Sequence, residues 1–79
     1  MKYKKKEKIE NIDYINKKIQ EYGIILIDNK PNLSSWHQIE GDFEECVADL
    51  EKIIKKLKKD HWIYYRKDKK IMYVVGMEE

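Results

Sequence analysis

The side chains best suited to metal or nucleophilic chemistry are few: His37, Cys46 and His61. No pair of them has zinc-site spacing, and a structural zinc wants four ligands, so no metal centre is expected. A nucleophilic Cys46 would need a base, an orienting third group and an oxyanion hole. No motif supplies these, and beside Val47 the cysteine reads as a small packed residue. The three glycines stand far apart and form no phosphate-cradling loop. Carboxylates are plentiful, but they lie on helical stretches rich in counter-charges, which does not suit acid–base work. The expectation is a non-enzymatic protein without a cofactor, whose function lies in binding.

Charge is the chemistry that remains. Residues 52–70 hold nine cations and two acids, a local charge of +7; residues 40–51 hold six acids and no cation, a local charge of −6. The whole chain balances at +2, so it is a dipole and not a uniformly basic body. The basic half can neutralise phosphates, with binding that weakens steeply as salt rises.

The chain has 79 residues, enough for one domain with a modest core. Hydrophobic content of 42% supports folding, and near-cancelling charges argue against a disordered polyelectrolyte. One cysteine allows no internal disulfide, which suits a reducing, cytoplasmic setting. The longest strictly aliphatic run, residues 24–27, is far too short for a membrane span. Residues 1–7 read as a basic tail, 8–76 as one globular domain and 77–79 as a second tail. Lysine, isoleucine, tyrosine and asparagine are abundant, as in an AT-rich coding sequence.

Several elements must position these charges. Ile12, Ile15, Ile19 and Tyr22 make one apolar stripe, predicting a helix over 8–22 that stops at Gly23. Asp13 and Lys17 are spaced to pair along it, and Tyr14 falls off the stripe toward solvent. Residues 24–27 read as a strand buried on both faces, followed by a turn rich in Asp, Asn and Pro. Residues 33–43 favour a short helix capped by Ser35 with Gln38, with Trp36, Ile39 and Phe43 on one face. A strand is the other reading. Residues 42–59 read as a strong helix with Val47, Leu50, Ile54 and Leu57 in its stripe, acids at its start and lysines at its end, as the helix dipole prefers. Residues 61–66 and 71–76 read as a hairpin with both faces apolar, its tip at 67–70. Trp62, Tyr64 and Met72 are expected on one hairpin face as a protein interface.

The spacing from Ser35 to Val75 resembles the winged helix-turn-helix superfamily. Ser35 is followed by Ile39, Phe43, Leu50, Ile54 and Leu57 at offsets of a capped helix, a turn and a second helix. The run from Lys58 to Ile63 is similar to the family's entry into its first wing strand. Gly41 within the first helix, Glu44-Glu45-Cys46 at the turn and His61 in place of the commoner glycine depart from the pattern. Asp49 and Glu51 at the start of the second helix also depart, because acids there repel phosphate.

The resemblance implies an α+β winged-helix-like domain in the order helix-strand-helix-helix-hairpin. The alternative is two helices packed on a four-stranded antiparallel sheet. The resemblance further implies a small transcriptional regulator that binds duplex DNA as a homodimer. Lys52, Lys55, Arg66, Lys67, Lys69 and Lys70 would contact phosphate, and Ser34, Ser35 and His37 would add hydrogen bonds. The competing expectation is a small protein-binding module or inhibitor, encoded by a mobile element or virus against host machinery. A basic host surface would then dock on Glu40, Asp42, Glu44, Glu45 and Asp49.

Overall fold

A computed structural model describes residues 12–78. Their order is helix α1 (Ile12–Tyr22), strand β1 (Ile24–Ile27), strand β2 (His37–Glu40), helix α2 (Phe43–Ile53), a 3-10 turn (Ile54–Lys56), strand β3 (Leu57–Arg66) and strand β4 (Ile71–Met77). The domain is α+β. The basic tail expected over 1–7 and the first turn of the expected 8–22 helix lie outside the described residues.

The four strands form one sheet in the order β1-β3-β4-β2. β3 and β4 make an antiparallel hairpin, β2 pairs antiparallel with β4, and β1 pairs parallel with β3. The alternative reading therefore has the right elements, but the sheet is mixed rather than antiparallel. Its physical cause is the route of the chain. Residues 28–36 carry it from one sheet edge to the other, so β1 cannot fold back on β2 as a hairpin would. Ile24 instead lies beside Ile63.

The short helix expected over 33–43 is not formed. Residues 37–40 are a strand on β4, and the chain bends at Gly41, whose φ of 140° is not helical. Its amide donates to Lys70 O at 2.8 Å, which ties the bend to the hairpin tip. The capping box lies seven residues later, at the start of α2: the Glu45 carboxylate accepts the Asp42 amide at 2.9 Å. The offsets that carried the winged-helix resemblance run from β2 (Ile39) through α2 (Phe43, Leu50) and the 3-10 turn (Ile54) to the start of β3 (Leu57).

α2 is shorter than expected. It tightens after Ile53 into the 3-10 turn, and Leu57 begins β3 against Met77, so Lys58 and Lys59 belong to a strand and not to a helix. β4 runs one residue past its expected end, and Glu78 N donates to Lys56 O at 2.7 Å.

One sheet face carries the core. Residues paired across strands point to the same side. Ile63 with Val74, and Tyr65 with Met72 and Ile39, meet Phe43, Cys46, Val47 and Leu50 of α2. α1 closes the layer less completely. Tyr14, expected in solvent, is half-buried and meets the Phe43 ring edge-on at 6.4 Å. Among the described residues of α1, Lys18 rather than Lys17 makes ion pairs, with Glu21 at 3.3 Å and Glu51 at 2.9 Å. β1 was expected to be buried on both faces. As an outer strand it has covering on one flank only, and Ile25 and Leu26 are 42% and 45% exposed.

Candidate functional site: the second sheet face and the two basic ends

The pairing of Arg66 with Ile71 sets the parity of the hairpin. Trp62, Tyr64 and Arg66 share a face with Ile71, Tyr73 and Val75, away from the helices. Met72 lies on the other side, fully buried in the core. The expected trio of Trp62, Tyr64 and Met72 is therefore divided, and Val75 stands across from Trp62 where Met72 was expected nearby. The signal was available in sequence: a four-residue tip between 66 and 71 puts even positions of β3 with odd positions of β4.

This second face is part covered and part open. Tyr73 is only 2% exposed. Trp36, at the end of the crossing segment, meets its ring edge-on at 5.9 Å. Arg66 Nη1 donates to its hydroxyl at 3.4 Å. Lys30 Nζ lies 5.1 Å from the Trp36 ring centroid, a cation–π contact. Trp36 Nε1 donates to Gln38, and Gln38 Nε2 to Glu40, at 3.3 and 3.0 Å. The segment 28–36 thus lies over the β4–β2 half. The β1–β3 half is left open, with Trp62 51% exposed opposite Val75 and Ile25 42% exposed opposite Tyr64.

The expected phosphate-contacting residues fall into two groups. Lys52 and Lys55 stand where α2 ends, joined by exposed Lys56, Lys58 and Lys59. Arg66, Lys67, Lys69 and Lys70 stand at the hairpin tip. β3 separates the groups by roughly 25–30 Å at about 3.3 Å per residue. Two of the four tip cations are paired locally. Arg66 Nε pairs with Asp68 at 2.9 Å, and Lys70 pairs with Asp42 at 2.9 Å. Hydrogen bonds to Tyr73 and Asp68 hold the Arg66 guanidinium more firmly protonated than usual. The fold brings the acidic start of α2, with Asp42, Glu44 and Glu45, against this tip. At the other end, the ion pairs among the described residues include none from Lys55, Lys56, Lys58 or Lys59.

The acidic docking residues are spread along α2 and the β2 edge. Glu40 accepts from Gln38, Glu45 caps the helix, Asp42 holds Lys70, and Asp49 lies 3.8 Å from Lys52. A shallow groove of about 310 Å³ runs between β2 and α2, with Asp49, Lys52 and Ile53 on its helix side.

Of the three side chains that could do chemistry, Cys46 and His61 make contacts within the fold. Cys46 is fully buried; its thiol lies 3.4 Å from Gly41 O and 3.7 Å from Ile39 O. Burial, helped by Asp49, Glu45 and Asp42, pushes its pKa up to about 12. His61 Nδ1 donates to Lys58 O at 2.9 Å, and His37 is exposed on β2. No group of three or more metal-ligating residues is gathered among the described residues. No helix among them is long and apolar enough to cross a membrane. Comparison with protein-family models, curated proteins and solved structures finds no match.

Proposed function

We propose that this chain is a non-enzymatic protein-binding module that docks a partner protein on the open β1–β3 half of its second sheet face. The observation that carries the reading is the half-exposed Trp62, which stands opposite Val75 on the same face as the neighbouring Ile25–Tyr64 pair. Large aromatic side chains in rigid strands bury much area at little entropic cost, and they recur as anchors of protein interfaces. The acidic surface of α2 is a weaker candidate, because Asp42, Glu45 and Asp49 already have partners.

A photoreactive residue at Tyr64, introduced in the producing cell, tests this reading. A single cross-linked partner, lost when Trp62→Lys is added and absent when the probe is moved to Glu44, supports it. A cross-link only to a second copy of the chain, or the same product from Glu44, overturns it.

The duplex-DNA reading keeps one observation in its favour, the exposed lysines 55, 56, 58 and 59 without ion pairs among the described residues. It moves the phosphate contacts from the hairpin tip to the end of α2. Binding to a labelled random duplex at about 50 and 200 mM salt should then fall with K55A/K58A/K59A and stay unchanged with K67A/K69A. Absence of binding at the lower salt removes this reading.

A further inference from the structure

Trp62 stands at the edge of an irregular stretch rich in lysine. From Val75 to Met77, β4 takes two residue steps, about 7 Å at about 3.3 Å per residue. β3 covers the same span, from Trp62 back to Leu57, in five. The surplus is the run Lys58-Lys59-Asp60-His61, which bulges from the ladder directly beside Trp62. Bulges recur next to functional surfaces, where they re-aim side chains.

Main-chain contacts hold this bulge in place. His61 Nδ1 donates to Lys58 O at 2.9 Å. Gly76, lacking a Cβ, leaves the space in which Asp60 O and His61 approach β4. Glu78 N donates to Lys56 O at 2.7 Å and ties the 3-10 turn to the end of β4. These bonds use carbonyl groups of Lys56 and Lys58, and the ammonium groups take no part in them. Lys55, Lys56, Lys58 and Lys59 are all exposed, with no ion pair among the described residues. Residues 55–62 hold four cations and one acid, Asp60; Glu78 adds a second acid at the end of β4. The hairpin tip differs, since Asp68 and Asp42 already hold Arg66 and Lys70 there.

We propose that the partner docked at Trp62 presents an acidic segment with an apolar side chain in its midst. The apolar side chain packs on Trp62 and Ile25, and the carboxylates beside it meet Lys58 and Lys59, with Lys55 and Lys56 extending the cationic side. This partner chemistry rests on docking at Trp62, the function proposed above. Unpaired lysines beside an aromatic anchor select a partner by the sign of its charge and speed its approach. Two observations favour an acidic polypeptide over a nucleic acid. Unpaired bases stack on successive exposed rings, and the next ring along, Tyr64, is half-buried between Ile25 and Tyr73. A duplex would engage the lysines through its phosphates and leave Trp62 and Ile25 uncovered.

A displayed library of random short peptides, selected on the immobilised full chain, tests the proposal. The enriched peptides should carry several carboxylates around an aromatic or large aliphatic residue. Lys58→Glu/Lys59→Glu should weaken them at least about tenfold, and selection on that variant should enrich basic peptides instead. Trp62→Lys should also lose them, whereas K67A/K69A at the hairpin tip should not. Circular dichroism shows whether each variant is folded. Should the Lys58/Lys59 variant not fold, the wild-type chain decides, since added salt should weaken the selected peptides by screening. Neutral or basic peptides that still need Trp62, or acidic ones indifferent to Lys58→Glu/Lys59→Glu or to salt, would overturn the acidic partner and leave docking at Trp62 standing. No enrichment, or peptides indifferent to Trp62→Lys, would overturn the docking along with it. Tighter binding of a labelled single-stranded or duplex oligonucleotide, lost in both variants, would assign the surface to nucleic acid and overturn the proposal.

Discussion

Gly76 sits opposite the widest irregularity of the sheet, and replacing it by alanine tests how the basic end is built. Leu57 pairs with Met77 and Trp62 with Val75, so residues 58–61 of β3 face the single residue Gly76. The backbone there has φ 100°, a region that costs an L-residue about 1–3 kcal/mol. A Cβ would also lie 2.8 Å from Asp60 O and 3.0 Å from His61 Cα. Both are backbone atoms, so the bulge itself must move, and overpacking of that kind costs about 1–3 kcal/mol. The stiffer unfolded chain returns about 0.4–1 kcal/mol. The net loss is about 3 kcal/mol, which lowers Tm by about 12–24 °C in a domain of this size.

Gly23→Ala is the control. Its φ of 67° is left-handed, but nothing lies within 4 Å of the added Cβ. Only the conformational penalty of about 1–2 kcal/mol applies, less the same unfolded-state return. Urea denaturation followed by circular dichroism measures both losses. If Gly76→Ala costs no more than Gly23→Ala, the bulge does not rest on Gly76, and the placement of Lys58 and Lys59 argued from it fails.

Glu51 accepts from Tyr22 at 2.7 Å and from Lys18 at 2.9 Å, and these bonds, Lys18 first, hold its carboxyl below the usual range. A depressed folded pKa contributes stability above the unfolded value that is lost as pH falls through the folded one; the fall in Tm on acidification should therefore be shallower in Glu51→Gln. The hydrogen bond to Glu51 raises Tyr22 to about 12, and it also raises Lys18. That contribution is complete below the unfolded pKa of about 10 and lost as pH rises through the folded one, so Glu51→Gln should also flatten the alkaline side of the Tm profile. Cys46 should resist a thiol reagent at neutral pH until the chain unfolds, with labelling that tracks denaturant; rapid labelling of the native protein would contradict its burial. Tyr65→Phe removes a 3.1 Å hydrogen bond to Gly41 O and should cost about 1 kcal/mol, read from the urea midpoint.

Local periodicity made α1, β1, α2 and the hairpin legible, because each has a repeat or a turn signal within its own residues. The segment 33–43 was not legible by the same means. Its helical face of Trp36, Ile39 and Phe43 is real as spacing, yet Ile39 is buried from a strand and Phe43 from a helix, with the break at Gly41 between them. Tertiary pairing with β4 outweighs a short helix that contains glycine, despite the capping pattern of Ser35 with Gln38. The parallel pairing of β1 with β3 was also beyond local reading, since Ile24 and Ile63 lie far apart in sequence and their adjacency depends on the route of residues 28–36.

The candidate site shows the same limit for charge. Along the chain the acids of 40–51 precede the cations of 52–70, which reads as an acidic half and a basic half. Folding returns the hairpin tip to the start of α2, so that Lys70 meets Asp42 and Gly41 bonds Lys70 O. The cations farthest along the basic run are therefore the ones beside acids, while Lys55, Lys56, Lys58 and Lys59 stand away at the opposite end of β3. Linear charge asymmetry survives folding only when the chain does not double back over the boundary between its halves. Here it doubles back once, through a β3–β4 hairpin whose length sets the tip at the level of the α2 N-terminus. Lengthening or shortening both hairpin strands by two residues would keep every side chain on its face and move the tip away from Asp42. The tip cations would then lose their acidic neighbours without any change in composition, which separates what the sequence contributes to polyanion affinity from what the fold does.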